Sequence, residues 1–166
     1  FRTIREISRK RQSHISRLPC YLIVGSENSG KTSALRSSGF HPIITTRHSK
    51  RTDRPEIFKP QWWHAEDAIL IEATTPRGLD KASVEDANSI WGEFLRLLKK
   101  FRNTQPLSGV IVSISISEFL DAQSGDTAAF AEDIRQRLNE IDSIFKTRVP
   151  IYVVLTKADL LTGFES

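Results

Sequence analysis

The chain has 166 residues, of which 39% are hydrophobic and 27% charged, and its net charge is +4. These values fit one domain with its own hydrophobic core, and no apolar run approaches the roughly 18 residues that a transmembrane helix needs. The single cysteine, Cys20, excludes an internal disulfide and a cysteine-based zinc site, and we expect it to be an inert core residue.

The first 17 residues hold most of the positive charge. Six basic residues against one acidic residue give this segment a net charge of +5, which leaves −1 on the rest of the chain. Its apolar residues recur at helical spacing, so we predict a basic amphipathic helix over residues 1–17. That helix either packs on the domain or lies at the cytoplasmic surface of a membrane, where anionic lipids attract Lys and Arg. The near-neutral remainder argues against nucleic-acid binding.

A glycine-rich motif then follows a short apolar strand. Residues 19–24 predict the strand, and residues 25–32, GSENSGKT, match the phosphate-binding pattern G-x-x-x-x-G-K-[ST]. Residues 32–38 predict a short helix that stops at Gly39. In this context backbone N–H groups bind the phosphates of a nucleotide, Lys31 reaches the β- and γ-phosphates, and Thr32 binds Mg²⁺. The alternative is an ordinary Gly/Ser-rich turn between a strand and a helix.

Residues 41–61 predict a long connection with little periodicity, and an antiparallel hairpin follows it. The hairpin strands are residues 62–64 and 68–73, and Glu66-Asp67 suits the turn between them. Long connections of this kind in compact domains are usually functional or disordered.

The end of the second hairpin strand departs from a known pattern. GTPases carry D-x-x-G there, whereas this chain has Glu72-Ala73-Thr74-Thr75. Glu72 keeps a carboxylate that would bind Mg²⁺; the alternative is a strand-end carboxylate that faces only solvent. Pro76 stands where GTPases such as Ras carry the Gln that orients the attacking water, so we expect binding without efficient hydrolysis and assign no catalytic residue.

The rest of the chain alternates helices and strands. Residues 79–102 and 126–146 predict long amphipathic helices, and residues 109–115 and 149–155 predict strands, the first buried on both faces. This order predicts an α/β protein with a P-loop NTPase fold, in which a Ras-like, mostly parallel sheet has helices on both faces. Ligands of such sheets bind beyond the carboxyl ends of the strands.

A second nucleotide motif follows the last strand. Thr156-Lys157-Ala158-Asp159 matches [N/T]-K-x-D, in which the Asp carboxylate accepts hydrogen bonds from guanine and the Lys stem stacks on the base. Asp159 could instead be only a residue of a helix N-terminus. We therefore expect GTP or ATP with Mg²⁺ as the ligand. The candidate nucleotide-binding residues are Gly25, Asn28, Ser29, Gly30, Lys31, Thr32, Ser33, Thr156, Lys157 and Asp159, and the candidate metal ligands are Thr32 and Glu72.

These motifs together resemble the IcmF/TssM inner-membrane proteins of type VI secretion systems. The resemblance runs over nearly the whole chain in one order, through the segments PCYLIVG (19–25), SGKTSAL (29–35), WW (62–63), WGEFLRLLKK (91–100), PLSGVIV (106–112) and YVVLTKADLL (152–161). It departs from the family's D-T-A-G at Glu72 to Thr75. It departs again at Glu27, since a carboxylate beside phosphates is unfavourable unless it points outward.

The resemblance implies a nucleotide-binding domain of an inner-membrane scaffold, residues 18–166, on the cytoplasmic side of the cell inner membrane. Its partners would be other membrane-complex and baseplate proteins of the secretion system, and residues 1–17 would lie on the anionic membrane surface. Two alternatives stay open. One is an assembly module whose P-loop is a relic and needs no nucleotide. The other is an active NTPase that obtains a water-positioning group from residues 40–61 or from a partner.

Overall fold

The computed structural model describes residues 18–43, 60–75, 81–102, 105–121 and 124–164. The predictions for residues 1–17, for residues 44–59 of the long connection and for Pro76 lie outside the described residues. Among the helices that are described, none combines the length and the apolar character needed to cross a membrane.

One mixed sheet organises the described residues. Its six strands stand in the order β2-β3-β4-β1-β5-β6. Strand β1 pairs in parallel with β4 and β5, and β6 pairs in parallel with β5, whereas β3 runs antiparallel to β4 and β2 antiparallel to β3. The strands are β1 Cys20–Ser26, β2 His41–Pro42, β3 Gln61–His64, β4 Ile69–Thr75, β5 Gly109–Ser115 and β6 Ile151–Thr156.

Helices cover both faces of this sheet, which confirms the predicted fold class. Alternate residues of each strand point to opposite faces. The larger core, which holds Leu22 and Ile71 of the sheet, packs against α2 and α4, and a smaller core with Ile23 and Leu70 packs against α1. The helices are α1 Lys31–Ser37, α2 Lys81–Phe101, α3 Ile116–Asp121 and α4 Ser124–Phe145, and a short 3₁₀ helix spans Ala158–Leu160.

The predicted end of α1 at Gly39 is confirmed. Gly39 has a φ of 79°, in the left-handed region that glycine adopts without strain. Its N–H donates to Arg36 O, and the N–H of Phe40 donates to Leu35 O, which together form a Schellman motif.

Three predicted strands begin later than expected: β4 begins at Ile69 rather than residue 68, and the delays of the other two have one cause. Strand β1 begins at Cys20 rather than residue 19, and β6 begins at Ile151 rather than residue 149. Pro19 and Pro150 precede these strands and have no N–H to donate. Each contributes only its carbonyl oxygen to the sheet, Pro19 to Ile69 N and Pro150 to Val110 N.

Helix α3 was not predicted, because its apolar sequence reads as a continuation of β5. The helix begins immediately after Ser115, whose Oγ accepts a hydrogen bond from Glu118 N at 3.3 Å. Ser115 therefore acts as an N-cap. The predicted helix over residues 126–146 is observed as α4, which begins at Ser124 and ends at Phe145.

Candidate nucleotide-binding site

The GSENSGKT segment connects the carboxyl end of β1 to the N-terminus of α1. Gly30 is the N-cap residue of α1, and the N–H of Ala34 in the first turn donates to Gly30 O at 2.9 Å. A Cβ on Gly25 would lie 2.5 Å from Ser113 O of the neighbouring strand β5, so only glycine fits there. Strand, glycine loop and helix are thus arranged as in phosphate-binding loops.

The Lys31 side chain folds back beneath its own loop. Its Nζ donates to Gly25 O at 3.0 Å, to Ser26 O at 2.6 Å and to Ser29 Oγ at 3.1 Å, and the residue is only 3% exposed. Burial lowers the pKa of the Lys31 ammonium from the ordinary 10.5, against the opposing charges of Glu72, Glu118 and Glu27. The ammonium therefore lies at the centre of the loop and has carbonyl and hydroxyl oxygens around it.

Thr32 and Glu72 are in direct contact. The Thr32 hydroxyl donates to Glu72 Oε1 at 2.6 Å, and the indole N–H of Trp63 donates to Glu72 Oε2 at 3.0 Å. Glu72 is 5% exposed, so the alternative of a carboxylate that faces only solvent is wrong. Its two hydrogen bonds satisfy a charge that would otherwise be costly to bury. The two candidate metal ligands therefore lie side by side.

The Thr156-Lys157 segment at the end of β6 also reaches the loop. Thr156 Oγ1 donates to Ser29 O at 2.5 Å, and a Cβ on Gly30 would meet the Thr156 side chain at 3.2 Å. Lys157 Nζ forms an ion pair with Glu118 Oε1 at 2.9 Å, and Glu118 Oε2 accepts a hydrogen bond from Ser26 Oγ at 3.4 Å. The second motif is therefore tied to the first at two places.

The remaining predicted residues lie on the surface around this arrangement. Asn28 and Ser33 are exposed, and Asn28 has a φ of 63°. Glu27 is exposed as well, which meets the condition under which a carboxylate is tolerated in such a loop. Asp159 is an exposed residue in the first turn of the 3₁₀ helix, and its contact with the base stays a prediction.

Three residues of the site were missed by the sequence analysis: Trp63, Ser113 and Glu118. The spacing Ser115-x-x-Glu118 has the form of a capping box and could have revealed both α3 and Glu118. Ser113 forms hydrogen bonds with Ser29 Oγ and Ser29 O, at 3.4 and 3.2 Å. No comparable signal marks Ser113 or Trp63, because their contacts depend on how strands align.

Cys20 matches its expected role. It is fully buried in the larger core, and burial raises the pKa of its thiol to about 11. A thiol with so high a pKa is not a nucleophile at neutral pH.

Comparison with known proteins identifies relatives of this chain. A model of the IcmF-related N-terminal domain matches residues 84–166, which are half of the chain. The type VI secretion system component TssM1 of Pseudomonas aeruginosa is 34% identical over 149 residues, which are 89% of this chain and 14% of that protein. The chain therefore spans about one seventh of the length of this relative.

A solved structure shares the fold at low sequence identity. The crystal structure of a probable GTP-binding protein engB matches with a TM-score of 0.53 and 17% identity, over 88% of this chain and 74% of that one. This likeness concerns the fold alone. Taken with the family match and the TssM1 relative, the sequence and its six-stranded sheet show that the chain belongs to the IcmF/TssM family of type VI secretion components.

Proposed function

We propose that this chain is a nucleotide-binding domain of a type VI secretion membrane-complex scaffold, which binds GTP or ATP with Mg²⁺ and supports assembly of the apparatus. The observation that carries the proposal is the convergence of three distant segments near the carboxyl ends of β1, β4 and β6. Residues 25–32, Glu72 and residues 156–157 meet there through direct hydrogen bonds. Parallel α/β sheets bind their ligands at this edge.

The pair formed by Thr32 and Glu72 fits Mg²⁺ in its chemistry. Mg²⁺ prefers hard oxygen ligands and takes only one or two from the protein when a nucleotide supplies phosphate oxygens. Because the Thr32 hydroxyl donates its proton to Glu72, the lone pairs of Thr32 Oγ1 stay available to a metal. Bound Mg²⁺ would neutralise part of the phosphate charge next to the carboxylates of Glu72 and Glu118.

Efficient hydrolysis is not part of the proposal. The strand-end sequence Glu72-Ala73-Thr74-Thr75 lacks the glycine whose amide meets a γ-phosphate in GTPases, and Pro76 follows it. Proline has neither an N–H nor a polar side chain with which to orient water. A nucleotide-bound state that lasts suits a scaffold better than rapid hydrolysis of the nucleotide.

Family membership supports a proposal about location and partners. We place the domain on the cytoplasmic side of the cell inner membrane, with residues 1–17 on the anionic lipid surface and with other membrane-complex and baseplate proteins as partners. The net charge of +5 on residues 1–17 supports the membrane contact.

Titration with fluorescent GTP and ATP analogues in the presence of Mg²⁺ tests the proposal. We expect saturable binding by the wild type and at least a tenfold loss in Lys31→Ala, because a desolvated lysine–phosphate contact is worth more than about 1.4 kcal/mol. Lys100→Ala is the matched control, since Lys100 is an exposed lysine near the end of α2. Absence of binding at high micromolar concentrations of both nucleotides would refute the proposal.

A second candidate is an assembly module that does not need nucleotide. The observation in its favour is the self-contained contact set of Lys31, which already has three oxygen acceptors within its own loop. This candidate predicts that Lys31→Ala assembles the secretion complex normally in cells. Assembly that fails in Lys31→Ala but succeeds in Lys100→Ala would favour the nucleotide-binding domain instead.

A further inference from the structure

Two adjacent tryptophans of β3 point to opposite faces of the sheet. Trp62 belongs to the larger core, whereas Trp63 packs with Ile23, Leu35 and Leu70 in the smaller core beside α1. Trp63 is completely buried, at 0% exposure. The pair therefore contains one tryptophan on the face that carries Thr32 and Glu72 and one on the other face.

The strand register brings the Trp63 indole to the carboxylate. Trp63 pairs with Leu70 across the antiparallel ladder, and Glu72 is two residues further along β4 on the same face. Such diagonal neighbours lie within reach of an aromatic side chain. The Trp63 Nε1–H donates to Glu72 Oε2, while Oε1 accepts from Thr32, so each carboxylate oxygen has its own donor.

We propose that Trp63 is a positioning residue that orients Glu72 as the protein carboxylate of the Mg²⁺ site. The inference rests on the proposed function and adds a residue that neither motif contains. Glutamate has one more rotatable bond than the aspartate of D-x-x-G, so its carboxylate needs an anchor to stay at a fixed place. The indole supplies this anchor from a rigid, buried ring, and one oxygen of Glu72 remains beside Thr32.

The position of Trp63 gives the indole an effect on Mg²⁺ rather than on the nucleotide alone. Groups that hydrogen-bond a metal-binding carboxylate fix its orientation, and their loss typically lowers metal affinity by about 10- to 100-fold. The phosphate contacts of Lys31 and of the loop amides do not pass through Trp63. Loss of the indole N–H should therefore raise the Mg²⁺ concentration that is needed to tighten nucleotide binding. The nucleotide affinity without Mg²⁺ should stay the same.

The test compares Trp63→Phe with Trp62→Phe, which makes the same change on the other face of the same strand. Nucleotide affinity is measured by titration at a series of Mg²⁺ concentrations and in EDTA. We expect Trp63→Phe to need about 10- to 100-fold more Mg²⁺ for half-maximal tightening while its affinity in EDTA stays within twofold of wild type. Trp62→Phe should follow the wild type in both measurements.

The outcomes separate this inference from the proposed function. Equal Mg²⁺ dependence in the two variants, with nucleotide still bound, overturns the inference and leaves the function standing. Equal weakening of Trp63→Phe with and without Mg²⁺ also overturns it, because it indicates a packing role. A wild type that binds no nucleotide refutes both.

A second measurement covers the case in which Trp63→Phe does not fold. In ¹⁵N-labelled protein the indole N–H signal of Trp63 is identified by elimination with Trp62→Phe and Trp91→Phe. We expect this signal to shift when Mg²⁺ is added to nucleotide-saturated protein, and the signal of Trp91, which packs in the other core, to stay in place. A Trp63 signal that does not respond to Mg²⁺ contradicts the proposal.

Discussion

Lys31 is the most buried charged side chain among the described residues, and its surroundings determine how it titrates. Burial disfavours the ammonium form and lowers the pKa, while three glutamate charges partly offset the effect. A phosphate group added beside the ammonium would favour the charged form much more strongly. The protonation of Lys31 and the binding of a nucleotide are therefore linked.

We expect nucleotide binding to take up protons at alkaline pH. Because the pKa of Lys31 is below 10.5 before binding, part of the population loses its proton as the pH rises toward that value. Binding raises the pKa again, so protons are taken up and affinity falls as the pH rises through this window. Isothermal titration calorimetry in two buffers of different ionisation enthalpy measures the uptake.

Two variants serve as controls for the measured proton uptake. Lys100→Ala should take up as many protons as the wild type, whereas Lys31→Ala should take up fewer. Proton release by the wild type on binding would show that the pKa does not rise and would contradict the linkage.

At the scale of elements, α2 and α4 pack side by side over the larger core. Lys99 of α2 donates through Nζ to Ile144 O near the end of α4 at 2.6 Å, which satisfies a carbonyl without an intrahelical partner. The Arg137 guanidinium lies 5.2 Å from the centre of a Trp91 ring, in the range of a cation–π contact. Gly92 lies in the interior of α2, next to Trp91.

We expect Gly92→Ala to stabilise the chain by about 0.5–1 kcal/mol, because alanine loses less conformational entropy than glycine in a helix interior. Space is available, since the added Cβ would meet only the flexible end of Arg96, at 3.4 Å. Denaturation in urea measures the free energy of unfolding.

Gly39→Ala is the matched contrast in the same experiment. Its Cβ would meet nothing within 4 Å, yet the φ of 79° disfavours alanine. This substitution should destabilise by about 1 kcal/mol. Equal effects of the two substitutions would contradict an explanation from backbone conformation.

The elements were predictable where the local pattern was unambiguous. The amphipathic stripes of α2 and α4, the apolar strands β1 and β5 and the turn at Glu66-Asp67 all follow from periodicity and turn residues. Strand ends shifted where proline lacks an N–H, and α3 was missed because Ile-Ser-Glu-Phe-Leu fits a strand as well as a helix. The missing proline N–H determined the first kind of boundary, and the local N-cap hydrogen bond from Glu118 N to Ser115 Oγ determined the second.

The site was predictable to the extent that its motifs are local. The loop from Gly25 to Thr32 and the segment Thr156–Asp159 are contiguous, and their meeting follows from the parallel order of the strands. The contacts of Glu72 with Trp63 and of Lys157 with Glu118 are not local. The first depends on strand register, which no short window of sequence encodes, and the second depends on helix α3, whose local signal is the spacing Ser115-x-x-Glu118.

At the scale of the whole molecule, one end of the described sheet exposes a group of apolar side chains. Strand β6 is the last strand on its side, and its residues Ile151 to Leu155 are 39–61% exposed although all are apolar. Phe119, Leu120, Leu160 and Phe164 add further exposed apolar side chains. An exposed edge strand with this composition tends to pair with another chain.

We therefore expect this chain, when purified alone, to self-associate at micromolar concentrations. Val153→Lys should shift the population toward monomer, because a charge on an edge strand opposes pairing. Gln136→Lys adds the same charge at an exposed position of α4 and should leave association unchanged. Sedimentation velocity measures the distribution, and a monomeric wild type at all concentrations would contradict the expectation.

Because Lys31 points into its own loop, the contacts of the nucleotide-free protein also help to set any measured nucleotide affinity. With Gly25 O, Ser26 O and Ser29 Oγ as acceptors, the ammonium ties the first half of the loop to the second. A nucleotide must exchange some of these acceptors for phosphate oxygens, so affinity reports the difference between two well-coordinated arrangements. Replacement of Lys31 by alanine alters both arrangements, and the loop of that variant is a different starting state from the wild-type loop.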